Sequence, residues 1–232
     1  MNKRQVILVS LAVLVIAGVL GGIYYFNREA PLPAATSVDA EAIGPEEPHT
    51  QGNAQAKAAL IEYAALTCPW CALFNNTMVP ALKEKYVATG KVHYVLRLIP
   101  LDVADAKAEA LATCMGKDKF FEAVDLLYHR QDEWGPEQVG EHGLAPDAQP
   151  KTDAGLMKMG RAMGLDEEKA RACLTGKNAE DAFERLRRVA EHGVIRYGVN
   201  STPTLILNGQ VVKTPRTAEE LAQLLDPVLE GK

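Results

Sequence analysis

Leu60-Ile61-Glu62-Tyr63-Ala64-Ala65-Leu66-Thr67-Cys68-Pro69-Trp70-Cys71 decides how the rest of the chain is read. Residues Ala58 to Ala64 are apolar or small apart from Glu62, and they predict a buried strand. The run Ala72–Thr89 carries Leu73, Phe74, Met78, Leu82 and Tyr86 close to helical spacing, so the Cys-x-x-Cys opens a helix. Pro69 suits a first helical turn, where its missing N–H leaves no bond unmade. Gly90 ends the run. Val92 to Ile99 is rich in β-branched and apolar residues and predicts a second strand, closed by Pro100. Strand, helix and strand in this order make one βαβ unit.

Chemistry follows from where the cysteines fall. A thiolate at a helix N-terminus faces unpaired N–H groups and the positive end of the helix dipole, so its pKa falls. Cys71 lies one turn later on the same helical face, close enough for the two sulfurs to close a small disulfide ring. Cys68, nearer the helix end, is expected to be the exposed attacking thiol and Cys71 the resolving one. The competing readings are an inert disulfide and half of a zinc site. Zinc needs two more ligands, and the chain has no second Cys-x-x-Cys and no His-x₃₋₅-His; His49, His93, His129, His142 and His192 are scattered. The expectation is a redox pair, with no metal and no bound cofactor. Glu62 interrupts the apolar strand, and a buried carboxylate is costly. It is either a strand residue that reaches water or a proton relay to Cys71.

Beyond the βαβ unit, helical patterns run from about Val103 to Tyr197: Ala106–Met115, Phe120–Arg130, Gly155–Met163, Asp166–Leu174 and Ala179–Tyr197. Thr204–Leu207 and Val211–Lys213 then flank Asn208-Gly209, a strong hairpin signal. Thr217–Leu229 predicts a final amphipathic helix. Residues 57–102 and 198–232 therefore form one α/β domain, a βαβ half and a ββα half with a central mixed sheet. Residues 103–197 are an inserted all-helical domain.

The N-terminus reads differently. Val6 to Phe26 carries no charge and would span roughly 30 Å as a helix, the thickness of a bilayer core. Lys3 and Arg4 precede it, which leaves the N-terminus in the cytoplasm and sends the domain outward. Residues 1–28 are thus expected to be a cytoplasmic tip and a single-pass transmembrane helix. A cleaved signal peptide is the alternative, although its apolar region is usually shorter. Residues 29–56, with Pro31, Pro33, Pro45 and Pro48, predict a flexible linker. Either reading puts the domain on the periplasmic, extracytoplasmic side of the cytoplasmic membrane, where disulfides persist. The chain has 25 Lys and Arg against 30 Asp and Glu, and without Lys3, Arg4 and Arg28 the balance is 22 against 30. So acidic a surface argues against nucleic acid as a partner.

Taken together, Leu60-Ile61-Glu62-Tyr63 with Thr67-Cys68-Pro69-Trp70-Cys71, Val79-Pro80-Ala81-Leu82, and Val199-Asn200-Ser201-Thr202-Pro203-Thr204 before Leu205-Ile206-Leu207-Asn208-Gly209 resemble the DsbA-like branch of the thioredoxin superfamily. The match is to its membrane-tethered thiol–disulfide oxidoreductases and covers about residues 57–230. The resemblance implies a thioredoxin-like fold, with Cys68 as nucleophile, Cys71 as resolving thiol and Glu62 as the buried acid. It implies that Pro203 is a cis-proline beside the sulfurs, with Thr202 lending its backbone to a substrate strand; Pro69 and Trp70 complete the substrate-contacting set. Cys114 and Cys173 are left over. By their local sequence they are two buried apolar thiols or a bond, and the resemblance implies a structural disulfide.

The best-known oxidases of this family carry His where this chain has Trp70, which adds apolar surface but no positive charge. A Cys68 pKa and potential less extreme than the strongest oxidant's are expected. The implied activity is dithiol oxidation of unfolded or folding exported proteins, with recycling by a membrane quinone-linked thiol oxidase. A tethered reductase fed by a transmembrane electron donor would use the same residues in the opposite direction. A tethered chaperone whose disulfides are all structural would be a different class. An isomerase usually needs an oligomerisation domain, and the chain is expected to be a monomer.

Overall fold

The structure of the chain, a computed structural model, describes residues 49–135, 138–139, 143–144 and 148–231. The anchor expected over 1–28 and the linker up to residue 48 lie outside the described residues. Among the described residues no helix is long and apolar enough to cross a membrane.

The strand expected from Ala58 to Ala64 forms over that range and is buried at every position. It is β2, the middle strand of a five-stranded sheet. Its parallel neighbour β3 is Val92–Leu98, also buried throughout. On its other side β6 (Thr204–Leu207) runs antiparallel, followed by β7 (Gln210–Val212). Asn208 and Gly209 join these two strands with φ of 49° and 84°. That pair of left-handed residues matches the twist of a two-residue hairpin. The Asn208 side chain also accepts the Ala59 N–H at 2.8 Å, which ties the hairpin to β2.

The domain begins earlier than residue 57. His49–Gly52 is β1, antiparallel to β3 and at the sheet edge. Placing these residues in a flexible linker is therefore corrected. His49 stacks on Phe120 with ring centroids 3.4 Å apart, and burial lowers its pKa to about 4, helped by the charge of Arg185.

The helix after Cys68 is not continuous. Helix α1 is Pro69–Thr77, α2 is Val79–Leu82, and a π turn over Lys83–Val87 follows. Pro80 is the cause: it has no N–H to give the preceding turn, and its ring crowds the carbonyl there.

Between β3 and β6 the insertion comprises α3 (Val103–Cys114), α4 (Phe120–His129), α5 (Gln131–Trp134), α6 (Ala148–Ala162), α7 (Glu167–Leu174) and α8 (Lys177–Tyr197). It is not all-helical, because β4 (Gln138–Val139) pairs antiparallel with β5 (Gly143–Leu144). Pro136, Gly140 and Gly143 in that stretch disfavour a helix. Helices α3 and α8 are joined by the buried Glu109 carboxylate and Arg185, 2.7 Å apart.

Helix α8 also returns to the sheet. Ile61, Tyr63, Val95, Ile99, Val199 and Ile206 form a core under Val189, Ala190 and Tyr197. Gly193 permits that approach, since a Cβ there would lie 2.7 Å from the Tyr63 ring. Alternation along β2 turns Glu62 to the opposite face. The final helix, α9 (Ala218–Glu230), starts at Thr217, whose hydroxyl accepts the Glu220 N–H.

Candidate active site

Cys68 caps α1. Its backbone is extended, with φ −75° and ψ 118°, and Pro69 occupies the first helical turn. The Cys68 Sγ accepts the Cys71 backbone N–H at 3.3 Å and lies 3.4 Å from the Thr202 carbonyl. Thr202–Pro203 is a cis peptide. The structure thus brings Cys68, Cys71, Thr202 and Pro203 to one place, with Cys68 and Thr202 134 positions apart in sequence, in a chain whose local sequence left the proline's role open.

Both thiols are free. Cys68 is less exposed than expected for an attacking group, at 5 %, although Cys71 is wholly buried. The sulfur lies against the Cys71 N–H on one side and the Thr202 carbonyl on another, and little of the residue is left exposed. The Cys68 pKa is lowered to about 6, first by a hydrogen bond from the Cys71 thiol and also by the Cys71 and Trp70 backbone N–H groups, against the effect of burial. Burial pushes the Cys71 thiol far up, and its bond to Cys68 and the charges of Cys68 and Glu62 add to this. One proton is therefore easy to remove and the other hard.

Glu62 is buried beneath this pair and accepts a hydrogen bond from the Tyr94 hydroxyl at 2.6 Å. Burial raises its pKa to about 7; the Tyr94 bond opposes that and the Cys68 charge reinforces it. Its charge in turn helps to hold the Cys71 thiol protonated.

Trp70 stands 69 % exposed on the outer side of α1. With Leu73, Phe74, Met78 and Pro203 it lines a groove of about 530 Å³ that begins at the Cys68 loop and is closed by Lys213, Thr214, Pro215 and Arg216. Sequence reasoning missed this groove. Leu73, Phe74 and Met78 sit at core-like helical spacing, and only their shared face with Trp70 hinted at another use. It also missed Asp105, Tyr128 and Gln131, whose side chains bond the active-site loop from the insertion.

Cys114 and Cys173 are bonded to each other, across a sequence separation of 59. They join the ends of α3 and α7, away from the Cys68 groove in every lining residue. Among the described residues no group of three or more His, Cys, Asp or Glu side chains is arranged to hold a metal ion.

The Thioredoxin family matches residues 45–227. A Rickettsia typhi protein provisionally named a protein-disulfide oxidoreductase is 28% identical over 185 residues, covering 78% of this chain and 62% of that protein. The chain thus spans less than two thirds of that relative's length. The crystal structure of Wolbachia pipientis alpha-DsbA1 superposes with a TM-score of 0.68 at 22% identity, over 84% of this chain and 97% of that one. Chlamydia trachomatis DsbA gives a TM-score of 0.62 at 16% identity, over 87% of this chain and 98% of that one. At these identities the two structures speak for the fold.

Proposed function

The chain belongs to the Thioredoxin family, and from that premise we propose that it is a thiol–disulfide oxidoreductase of DsbA type, working as a dithiol oxidase outside the cytoplasm. One observation carries the reading. Cys68 Sγ sits at a helix start, 3.3 Å from the Cys71 N–H, with the cis Thr202–Pro203 loop against it and Cys71 buried behind.

In the reaction a substrate thiolate attacks Cys68 in the Cys68–Cys71 disulfide. The S–S bond breaks, its electron pair goes to Cys71, and Cys71 takes a proton through Glu62. A second substrate thiolate then attacks the mixed disulfide and releases Cys68 as a thiolate. The substrate loses two electrons and two protons; the enzyme is reduced. Cys68 is the good leaving group because its thiolate is stabilised, and that favours the oxidising direction. The groove from Trp70 to Pro203 receives the substrate segment, with Thr202 offering its backbone.

The Cys114–Cys173 bond and the uncharged stretch Val6–Phe26 support a domain held outside the cytoplasmic membrane by a single-pass anchor. Exported, incompletely folded proteins are the substrates of such a monomer, and a membrane quinone-linked thiol oxidase reoxidises it. The test is the equilibrium reduction potential of Cys68–Cys71. A value between roughly −120 and −180 mV fits the oxidase. A value near about −270 mV turns the assignment to a reductase with a transmembrane electron donor.

A further inference from the structure

Ala65 and Leu66 bury the loop that presents Cys68, and four of its backbone polar groups, at Ala65, Leu66, Thr67 and Cys68, are engaged by side chains of the insertion. Tyr128 on α4 donates its hydroxyl to the Ala65 carbonyl at 3.2 Å. Gln131 on α5 donates its amide to the Leu66 carbonyl at 2.7 Å and to the Cys68 carbonyl at 3.1 Å. Asp105 in the first turn of α3 accepts the Thr67 N–H at 2.8 Å and the Thr67 hydroxyl at 2.9 Å.

These side chains are themselves held. The Asp105 carboxylate is buried and also accepts the Leu101 and Asp102 N–H groups, both at 2.9 Å. Four donors on one buried carboxylate leave it no freedom to swing away, and such a group is costly to leave half-satisfied. Tyr128 is buried, and the carbonyl of the same residue receives the Asn76 amide from α1. The connection therefore runs in both directions between the insertion and the first helix of the thioredoxin half.

We infer that the insertion is the clamp of the nucleophile, and that Asp105, Tyr128 and Gln131 are positioning residues that set the reactivity of Cys68 without touching substrate. The inference rests on Cys68 being the nucleophile proposed above. Its physical basis is alignment. The Cys68 sulfur accepts an N–H of its own helix only while the Thr67 and Cys68 peptides keep their orientation, and those are the peptides that Asp105 and Gln131 hold. Released from the clamp, the Cys68 carbonyl keeps only the Ala72 N–H of its own helix, the loop before it can shift, the sulfur loses its alignment with the Cys71 N–H, and the thiolate loses stabilisation.

The test is the pH titration of thiolate absorbance in the reduced full-length protein, with Cys114–Cys173 left bonded, for wild type, Gln131→Met, Thr67→Val and Thr67→Ser. Gln131→Met keeps the side-chain length and removes the donor. Thr67→Val keeps the shape and removes one hydroxyl, so it serves should Gln131→Met fold poorly. Thr67→Ser retains that hydroxyl. Both Gln131→Met and Thr67→Val are expected to move the Cys68 midpoint up by about one pH unit, about tenfold less thiolate below the midpoint, and Thr67→Ser to keep it near wild type. A low wild-type midpoint that neither variant moves overturns the clamp and leaves the function standing. An ordinary thiol midpoint in the wild type overturns the function, and the clamp with it.

Discussion

The two cysteine pairs of this chain occupy opposite ends of helices. Cys68 caps the N-terminus of α1, where its sulfur meets an unpaired N–H. Cys114 is the last residue of α3 and Cys173 the second-last of α7. A thiolate gains from the positive end of a helix dipole and loses at the negative end. The first pair is therefore easy to hold reduced, and the second has two poor thiolates as its reduced form. Chemically identical side chains are sorted into a reactive pair, as proposed, and a structural brace by the electrostatics of helix ends.

The largest expected effect is on activity. Cys68→Ser should abolish thiol exchange to background in a peptide-dithiol oxidation assay, whereas Cys71→Ser should trap substrates as mixed disulfides on Cys68. Residual turnover by Cys68→Ser would mean that the other pair also exchanges. Next is the brace. Cys114→Ala with Cys173→Ala should lower unfolding free energy by about 4 kcal/mol in a denaturant titration, since a closed loop of this order constrains the unfolded chain. The same bond should survive a mild dithiol that fully reduces Cys68–Cys71, with a potential below about −300 mV.

Glu62 comes third. Its folded pKa of about 7 lies above the ordinary 4.5. Stability from this group is therefore fully present below 4.5 and lost as pH rises through 7, roughly 3 kcal/mol in all. The oxidised protein, in which Cys68 has no proton to lose and no charge to add, should show a slope of the same sign and smaller size, and Glu62→Gln should flatten it. Cys68 has the opposite sign. Its folded pKa of about 6 lies below 9.0, so the reduced protein gains stability as pH rises from about 6 to 9. Denaturation of reduced protein against pH checks this, and iodoacetamide labelling of Cys68 should reach half its maximal rate near pH 6. The smallest effect is at the groove: Leu73→Asp should raise KM for an apolar peptide dithiol about tenfold, roughly the worth of one buried apolar side chain, with kcat little changed.

Much of the fold was legible because it rests on local signals. The buried run Ala58–Ala64, the Pro69 helix start and the Asn208-Gly209 turn each carry their own physical cause. Strand β1 was not legible. His49-Thr50-Gln51-Gly52 has no alternation, and it is a strand only because the edge of β3 offers it partners. The break of the first helix at Met78 could have been taken from Pro80, whose missing N–H is a local fact. The short β4–β5 pair depends on strand meeting strand and left only its glycines and proline as a trace.

The sequence by itself determined the chemistry: a Cys-x-x-Cys at a strand-to-helix junction with an acid in the strand before it can be read from neighbours along the chain. Only the tertiary structure decided how that chemistry is set. The Thr202 carbonyl lies 134 residues from Cys68, and Asp105 and Gln131 hold the active-site loop across 38 and 65 residues. Hydrogen bonds at such separations leave no periodicity or local pattern, because their partners are chosen by how the insertion packs against the sheet.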